Sequence, residues 1–305
     1  MDMKRDYFED VQLCTSGVVV FWLAALLIGL AVFPFLATSY TIYMANFLAI
    51  NVIVVIGLNI LVGFAGQVSL GHAGFFAIGA YGTVILMSEA HLPFIPALIL
   101  AALIAAAFGF LLGLPALRLE GPYLAIATLG VGLTITQIIG RIELFGGRQG
   151  LHTPDLIIGP WHLESDRDFY FLLIPVTILL ALAARNLTKT KVGRALIAIR
   201  DAEIAAETLG VNIMGYKTMA FALSAFYAGI GGGLYAFVLR FIEPEIVPLL
   251  MSIMVLAMVV VGGLGSIMGS ITGACLLGWL DLQLRNILEI PYLGTWLEAL
   301  SQEWF

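Results

Sequence analysis

The chain has 305 residues, 61% of them hydrophobic and 11% charged, with a mean hydropathy of +1.04. Soluble domains run near about 25% charged and about 45–50% apolar, and a soluble fold would lack the polar surface to cover such a core. A cytoplasmic enzyme, a nucleic-acid binder and a disordered tail are therefore excluded. The class is a polytopic membrane protein, in which the net charge of −6 matters less than where the charges sit.

Between Val11 and Leu117 the only charged residue is Glu89. A charge at the centre of a spanning helix costs about 2.5–3.5 kcal/mol, so this stretch reads as several spans joined by short turns. A span needs about 20 apolar residues to cross about 30 Å of hydrocarbon. Nine segments qualify: roughly 17–37, 42–62, 67–88, 93–114, 122–140, 169–186, 216–239, 247–262 and 266–286. Pro34, Pro93, Pro96, Pro115, Pro122, Pro248 and Pro291 fall near their ends. The runs are continuous rather than alternating, which favours an all-α bundle over a β-barrel. The organisation expected is a cytoplasmic amino-terminal segment (1–16), a transmembrane domain (17–286) and a carboxyl-terminal stub (287–305). Lys4 and Arg5 precede the first span, but its apolar run is too long for a signal peptide and a second span follows at once, so it is expected to stay uncleaved. Cys14 and Cys275 are isolated and read as small core hydrophobes.

Loop charges set the orientation. The 187–215 loop holds Lys189, Lys191, Arg194 and Arg200, whereas the 141–168 loop sets Arg141, Arg148 and Arg167 against Glu143, Asp155, Glu164, Asp166 and Asp168. With the basic loop in the cytoplasm, the amino terminus, Arg118 and the turns near Gly66 and Gly265 are cytoplasmic too. The 141–168 loop, which has room for a short helix at Trp161, then faces the periplasm, as do the 240–247 turn and the carboxyl end.

Small residues recur four apart at Gly109/Gly113, Gly229/Gly233, Gly265/Gly269 and Gly269/Gly273. Lipid tails are as apolar as leucine, so such residues let helix backbones approach closely. Gly63-Phe64-Ala65-Gly66 and Gly262-Gly263-Leu264-Gly265 look alike, each closing one apolar helix and opening another. They read as two tight turns, with an internal repeat as the alternative.

No Gly-Lys-Ser or Gly-Lys-Thr occurs, so there is no P-loop. There is no His-Glu-x-x-His and no Gly-x-Ser-x-Gly, and His72, His91, His152 and His162 share no metal-ligand spacing. Any energy source is expected on another chain.

Two stretches carry chemistry. From Asn59 to Gly82, polar residues and glycines crowd a segment that must be partly membrane-embedded. Gly63, Gly66, Gly71 and Gly74 point to a broken helix or close packing. Unwound backbone at membrane depth survives only where protein or a watery cavity satisfies it. Gln67, Ser69 and His72 therefore either line a pathway or hydrogen-bond neighbouring helices. From Gly193 to Lys217, Asp201 is expected to cap a short helix with Glu203 in its first turn. Ala202, Ala205, Ala206 and Leu209 form a small apolar stripe, and Gly210 ends the helix as a C′ glycine. An interfacial helix would want large apolar anchors and a basic face. Alanines with three carboxylates instead suit docking into a cleft of a soluble partner.

Together these stretches resemble the membrane subunits of ABC importers for branched-chain amino acids, the LivM-type permease in particular, with the LivH type as its paralogue. The run from Gly63 to Tyr81 is similar to that family's signature, and Asp201–Gly210 resembles the loop that forms the ATPase-coupling helix. Phe145–Leu151, Phe221–Phe226 and Gly262–Ser266 also fit. The resemblance implies an ABC importer permease fold of about ten spans in the inner membrane. Ala205, Ala206, Glu207 and Gly210 would form the core of the coupling helix. The implied partners are a second, LivH-like permease, two ABC ATPase subunits carrying ATP and Mg, and a periplasmic substrate-binding protein. This chain itself would carry no cofactor and bind no nucleic acid. The implied action is alternating access driven by the ATPases. The family pattern has a further span and a basic tail, whereas here Glu289, Glu298 and Glu303 are placed outside. The chain thus reads as shortened or divergent. The same machine could carry urea, short amides or another amino acid. A stand-alone channel or secondary carrier would need intramembrane ionisable residues, which are nearly missing.

Overall fold

Long apolar runs leave the backbone no partner but itself in lipid, and a helix satisfies every internal N–H and C=O. The computed structural model describes residues 17–116, 119, 121–158, 161–163, 165–243 and 249–288. The expectations on 1–16, Arg118, Pro248 and the stub beyond 288 lie outside these residues. The helices are α1 (Gly17–Leu36), α2 (Ser39–Asn59), α3 (His72–Ser88), α4 (Phe94–Ala116), α5 (Pro122–Ile139), α6 (Asp166–Lys189), α7 (Lys191–Asp201), α8 (Glu203–Thr208), α9 (Ile213–Leu239), α10 (Leu249–Gly262) and α11 (Ile267–Leu288). Among the described residues six helices are long and apolar enough to cross a membrane, and shorter apolar helices at Ala24–Leu36, His72–Ser88 and Leu250–Gly262 fill the other three expected spans. The chain is an all-α polytopic membrane protein.

α2 and α9 form the centre. α9 packs against α4, α3 and α2, and α2 also carries α6, α10 and α11. The buried faces hold Ile50, Ile53, Ile56, Leu58, Phe221 and Leu234. α1 sits outside, touching α6, where the Tyr170 hydroxyl donates to the Leu30 carbonyl at 3.0 Å. Leu26, Ile28, Tyr123, Ile126, Leu179 and Met268 point out of the bundle; in a bilayer this is the expected arrangement. Cys275 lies on this outer face as well, not in the core as its isolation suggested.

Glycines set the closest approaches. A Cβ at Gly79 would fall on the backbone of Gly229, and one at Gly232 on the carbonyl of Phe76. Gly109 and Gly113 face Phe221, Ala225 and Thr218, while Gly262, Gly269 and Gly273 crowd one another. The four-residue spacing read in the sequence is therefore a packing pattern.

The loops sort to two ends. At one end, the strands Leu151–His152 (β1) and Phe241–Ile242 (β4) pair antiparallel, and Ile157–Ile158 (β2) pairs with Trp161–His162 (β3). Trp161 thus lies in a strand rather than a short helix. Leu151–His152 of the 141–168 loop and Phe241–Ile242, just after α9, thus meet at this strand end. The other end holds α7 and α8 and is called here the elbow end.

Gly79→Ala is expected to force α3 and α9 apart and cost about 1–3 kcal/mol by overpacking. Gly130→Ala, where a Cβ meets nothing within 4 Å, should stay within about 0.5 kcal/mol of wild type. Thermal unfolding of the two purified variants in detergent tests the contrast.

Candidate functional site

α2 closes in a wide turn, a π-helix over Ile60–Phe64, and π turns inside helical segments recur at functional sites. The chain turns at Gly66, whose φ is +70°, and the next helix starts only at His72. The span expected at 67–88 is thus broken in its first part. Four of the donors along it have named partners. Gln67 N donates to the Leu61 carbonyl at 3.1 Å, Leu70 N to Thr128 Oγ1 at 3.0 Å, Gly71 N to Ser69 Oγ at 3.3 Å, and Ala73 N to Ser252 Oγ at 2.9 Å. Gly71 lies so close to the Thr128 carbonyl that a side chain would not fit, and Gly74 abuts Gly132.

Depth follows from helix rise. His72 Nε2 is 2.6 Å from Ser224 Oγ, and Ser224 lies ~16 Å along α9 from its start at the elbow end at 1.5 Å per residue. Ser252 is ~15 Å from the same end along α10. α3 therefore begins near the middle of a bilayer whose hydrocarbon is about 30 Å thick. Gln67, Ser69 and His72 are all buried. In this conformation they are buried rather than open to a passage, with Ser69 bonded to Gly71 N within the break and His72 to Ser224 of α9.

The two glycine turns meet. Gly63 abuts Asn59 and the backbone of Gly265, and Gly263 and Gly265 have φ of +108° and +75°. Asn59, fully buried, binds the second turn to α2. Its Nδ2 donates to the Ser266 carbonyl at 2.9 Å and to Ser270 Oγ at 2.6 Å, and its Oδ1 accepts from Gly265 N at 3.0 Å. Sequence reading placed no role on Asn59; the signal available was an amide at the end of an apolar run.

The elbow is more helical than expected. Asp201 does not cap α8. It ends α7, with its carboxylate turned to Arg200 at 2.8 Å, while Ala202 occupies the N-cap without a side-chain bond. The short reach of an aspartate favours the neighbouring guanidinium over the N–H groups beyond. α8 spans six residues, Glu203–Thr208. Its end follows the sequence reading: Gly210 has φ +83°, Gly210 N donates to Glu207 O at 2.9 Å and Val211 N to Ala206 O at 3.0 Å. Both Schellman bonds are present. Ala206 is buried, whereas Ala202, Ala205 and Glu207 are exposed, and Ile204 and Leu209 are 80% and 84% exposed. The outer surface of α8 is thus less alanine-like than expected. Glu203 holds Lys217, on the first turns of α9, with both carboxylate oxygens at 2.6 Å from Nζ. Lys217 is nearly buried, and sequence reading gave it no role.

A bundle of spanning helices with a mid-membrane break, no nucleotide motif and a short exposed helix on a basic loop is the plan of a membrane permease subunit. The chain belongs to the family described as branched-chain amino acid transport system / permease component, whose model matches residues 40–302. It is 38% identical over 281 residues, 84% of this chain, to the high-affinity branched-chain amino acid transport system permease protein LivM of Escherichia coli K12. That match takes in 66% of the E. coli protein, so the chain spans just under two thirds of that relative's length. Two Methanocaldococcus jannaschii proteins are also similar. The probable branched-chain amino acid transport permease protein LivM is 26% identical over 213 residues, 66% of this chain and 62% of that protein. The probable LivH permease is 31% identical over 162 residues, 51% of this chain and 50% of that protein. No solved structure matches the chain significantly.

Asn59→Leu removes three hydrogen bonds and leaves Gly265 N unpaired at the joint of the two turns. The expected loss is about 2 kcal/mol, read as a lower unfolding midpoint in detergent.

Proposed function

We propose that this chain is a membrane subunit of an ATP-driven importer that moves branched-chain amino acids inward by alternating access. The observation that carries the reading is α8. It is exposed, closed by Gly210, and tied by Glu203 to Lys217 on the central helix α9. A helix so placed can receive force from a separate motor and pass it to the core. The family and the names of its relatives support the cargo, and the likeness to a LivH permease supports a second, related permease as partner. In this reading the elbow end is cytoplasmic, as its basic loop and the amino-terminal expectation agree, and two ABC ATPases dock there with their ATP and Mg. A periplasmic binding protein meets the strand end. Gln67, Ser69 and His72 line the pathway only in another conformation of the cycle, in which the break at 65–71 parts from Thr128 and Ser252 while α3 stays against α9.

The test uses the complex co-purified with its ATPases and reconstituted in vesicles with its binding protein. Leucine uptake is expected to require ATP. Ile204→Asp and Glu207→Ala alter exposed positions and leave the fold intact. They are expected to weaken ATPase retention and cut uptake by about tenfold, the effect of about 1.4 kcal/mol at a docking contact. Wild-type uptake with both variants, or leucine transport by this chain alone without nucleotide, would sink the reading.

A further inference from the structure

Arg200, the penultimate residue of α7, stands three residues before α8, and its guanidinium reaches across the elbow end. Nη1 donates to the Gly63 carbonyl at 2.8 Å, one of the last carbonyls of the α2 segment and a group with no partner further along a helix. Nε donates to Asp201 Oδ1 at 2.9 Å, and Nη2 lies 2.8 Å from the same oxygen. The side chain passes over two glycines. A Cβ at Gly66 would stand 3.0 Å from Arg200 Cγ, and one at Gly265 would stand 3.0 Å from Nη1. Both glycines have positive φ, so backbone conformation and the space for Arg200 make the same demand. The trough that holds the guanidinium exists because the two look-alike glycine turns come together there.

What lies on either side of this side chain gives it a mechanical position. Beneath it, Asn59 fastens the 263–265 turn to α2, so the Gly63 carbonyl belongs to one body made of α2 and the α10–α11 joint. Beyond it, Ala202 is extended, with φ −159° and ψ 90°, a single non-helical residue between α7 and α8. Among the described residues, two polar contacts therefore tie the α7–α8 elbow to the bundle, one from Glu203 in α8 and one from Arg200 at the end of α7. Glu203–Lys217 leads to α9, and Arg200 leads to α2 and the α10–α11 joint.

We propose that Arg200 is a positioning residue of the transport cycle: it carries the movement of α8 to the paired glycine turns. The inference rests on the reading that α8 docks on an ATPase. A lysine cannot replace it fully. Its one ammonium on a flexible stem lacks the fork that grips Asp201 and Gly63 O together. A cation that merely stabilised the end of α2 would lower stability when removed, and transport and ATP hydrolysis would then fall together.

The experiment measures leucine uptake and ATP hydrolysis in the same vesicles, using the complex with its ATPases and binding protein. Wild type, Arg200→Ala and Arg200→Lys are compared, and assembly is checked by size-exclusion chromatography and thermal unfolding. Arg200→Ala is expected to assemble and to hydrolyse ATP within about twofold of wild type, while leucine moved per ATP falls about tenfold, the scale of one lost charged hydrogen bond. Arg200→Lys should fall between the two. Unchanged leucine per ATP in Arg200→Ala overturns the proposal, as does loss of assembly in both variants. If the wild-type chain itself retains no ATPase, the docking reading fails first and is identified by that control alone.

Discussion

In hydrocarbon an N–H without a partner has no water to fall back on, and the cost of several kcal/mol per group governs how a spanning chain can be interrupted. Residues 65–71 are such an interruption. They are held because Thr128 and Ser252 reach in from neighbouring helices and Ser69 turns back on its own backbone. Remove those hydroxyls and the segment has no reason to stay unwound. The rest of the arrangement follows from this. α3 can start at mid-membrane, His72 can meet Ser224, and the π turn at the end of α2 can sit against the second glycine turn. Small hydroxyls and missing side chains, not charges, stabilise the break.

Much of the fold is written in the hydropathy of the sequence. Among the described residues each of the nine apolar runs holds an apolar helix, because in lipid there is little else it can become. The closing of α8 at Gly210 was also readable, since a left-handed glycine after a short apolar stripe has one common use. The polar partners of the break were not readable. Thr128, Ser224 and Ser252 are ordinary residues within apolar spans, and their importance comes from helix rotation and pairing. Those are set by contacts between positions more than fifty residues apart. Asp201 was misread for a related reason. The pattern of a capping residue was present, but Arg200 beside it offered a nearer charge. Cys275 was misread because in a membrane an apolar side chain is as comfortable outside the bundle as within it.

The elbow illustrates how a protein can couple two regions with few groups. One carboxylate and one ammonium join α8 to the central helix. One guanidinium lies over two glycines at the joint of three other helices. Each contact is short, and each uses a residue whose replacement changes chemistry more than volume. The basic character of this loop, which served as an orientation signal, is therefore also structural: Arg200 contributes to both.

The seam between α3 and α9 has a consequence for how the molecule can deform. Where Gly79 meets Gly229 and Gly232 meets Phe76, backbone lies on backbone with no side chain between to act as a bearing. Such a contact cannot slide by a fraction of a turn without collision, so these two rods behave as a single plank. Any rocking of the subunit must be taken up at looser seams, such as the one between α1 and α6, and the plank will swing as a unit about them.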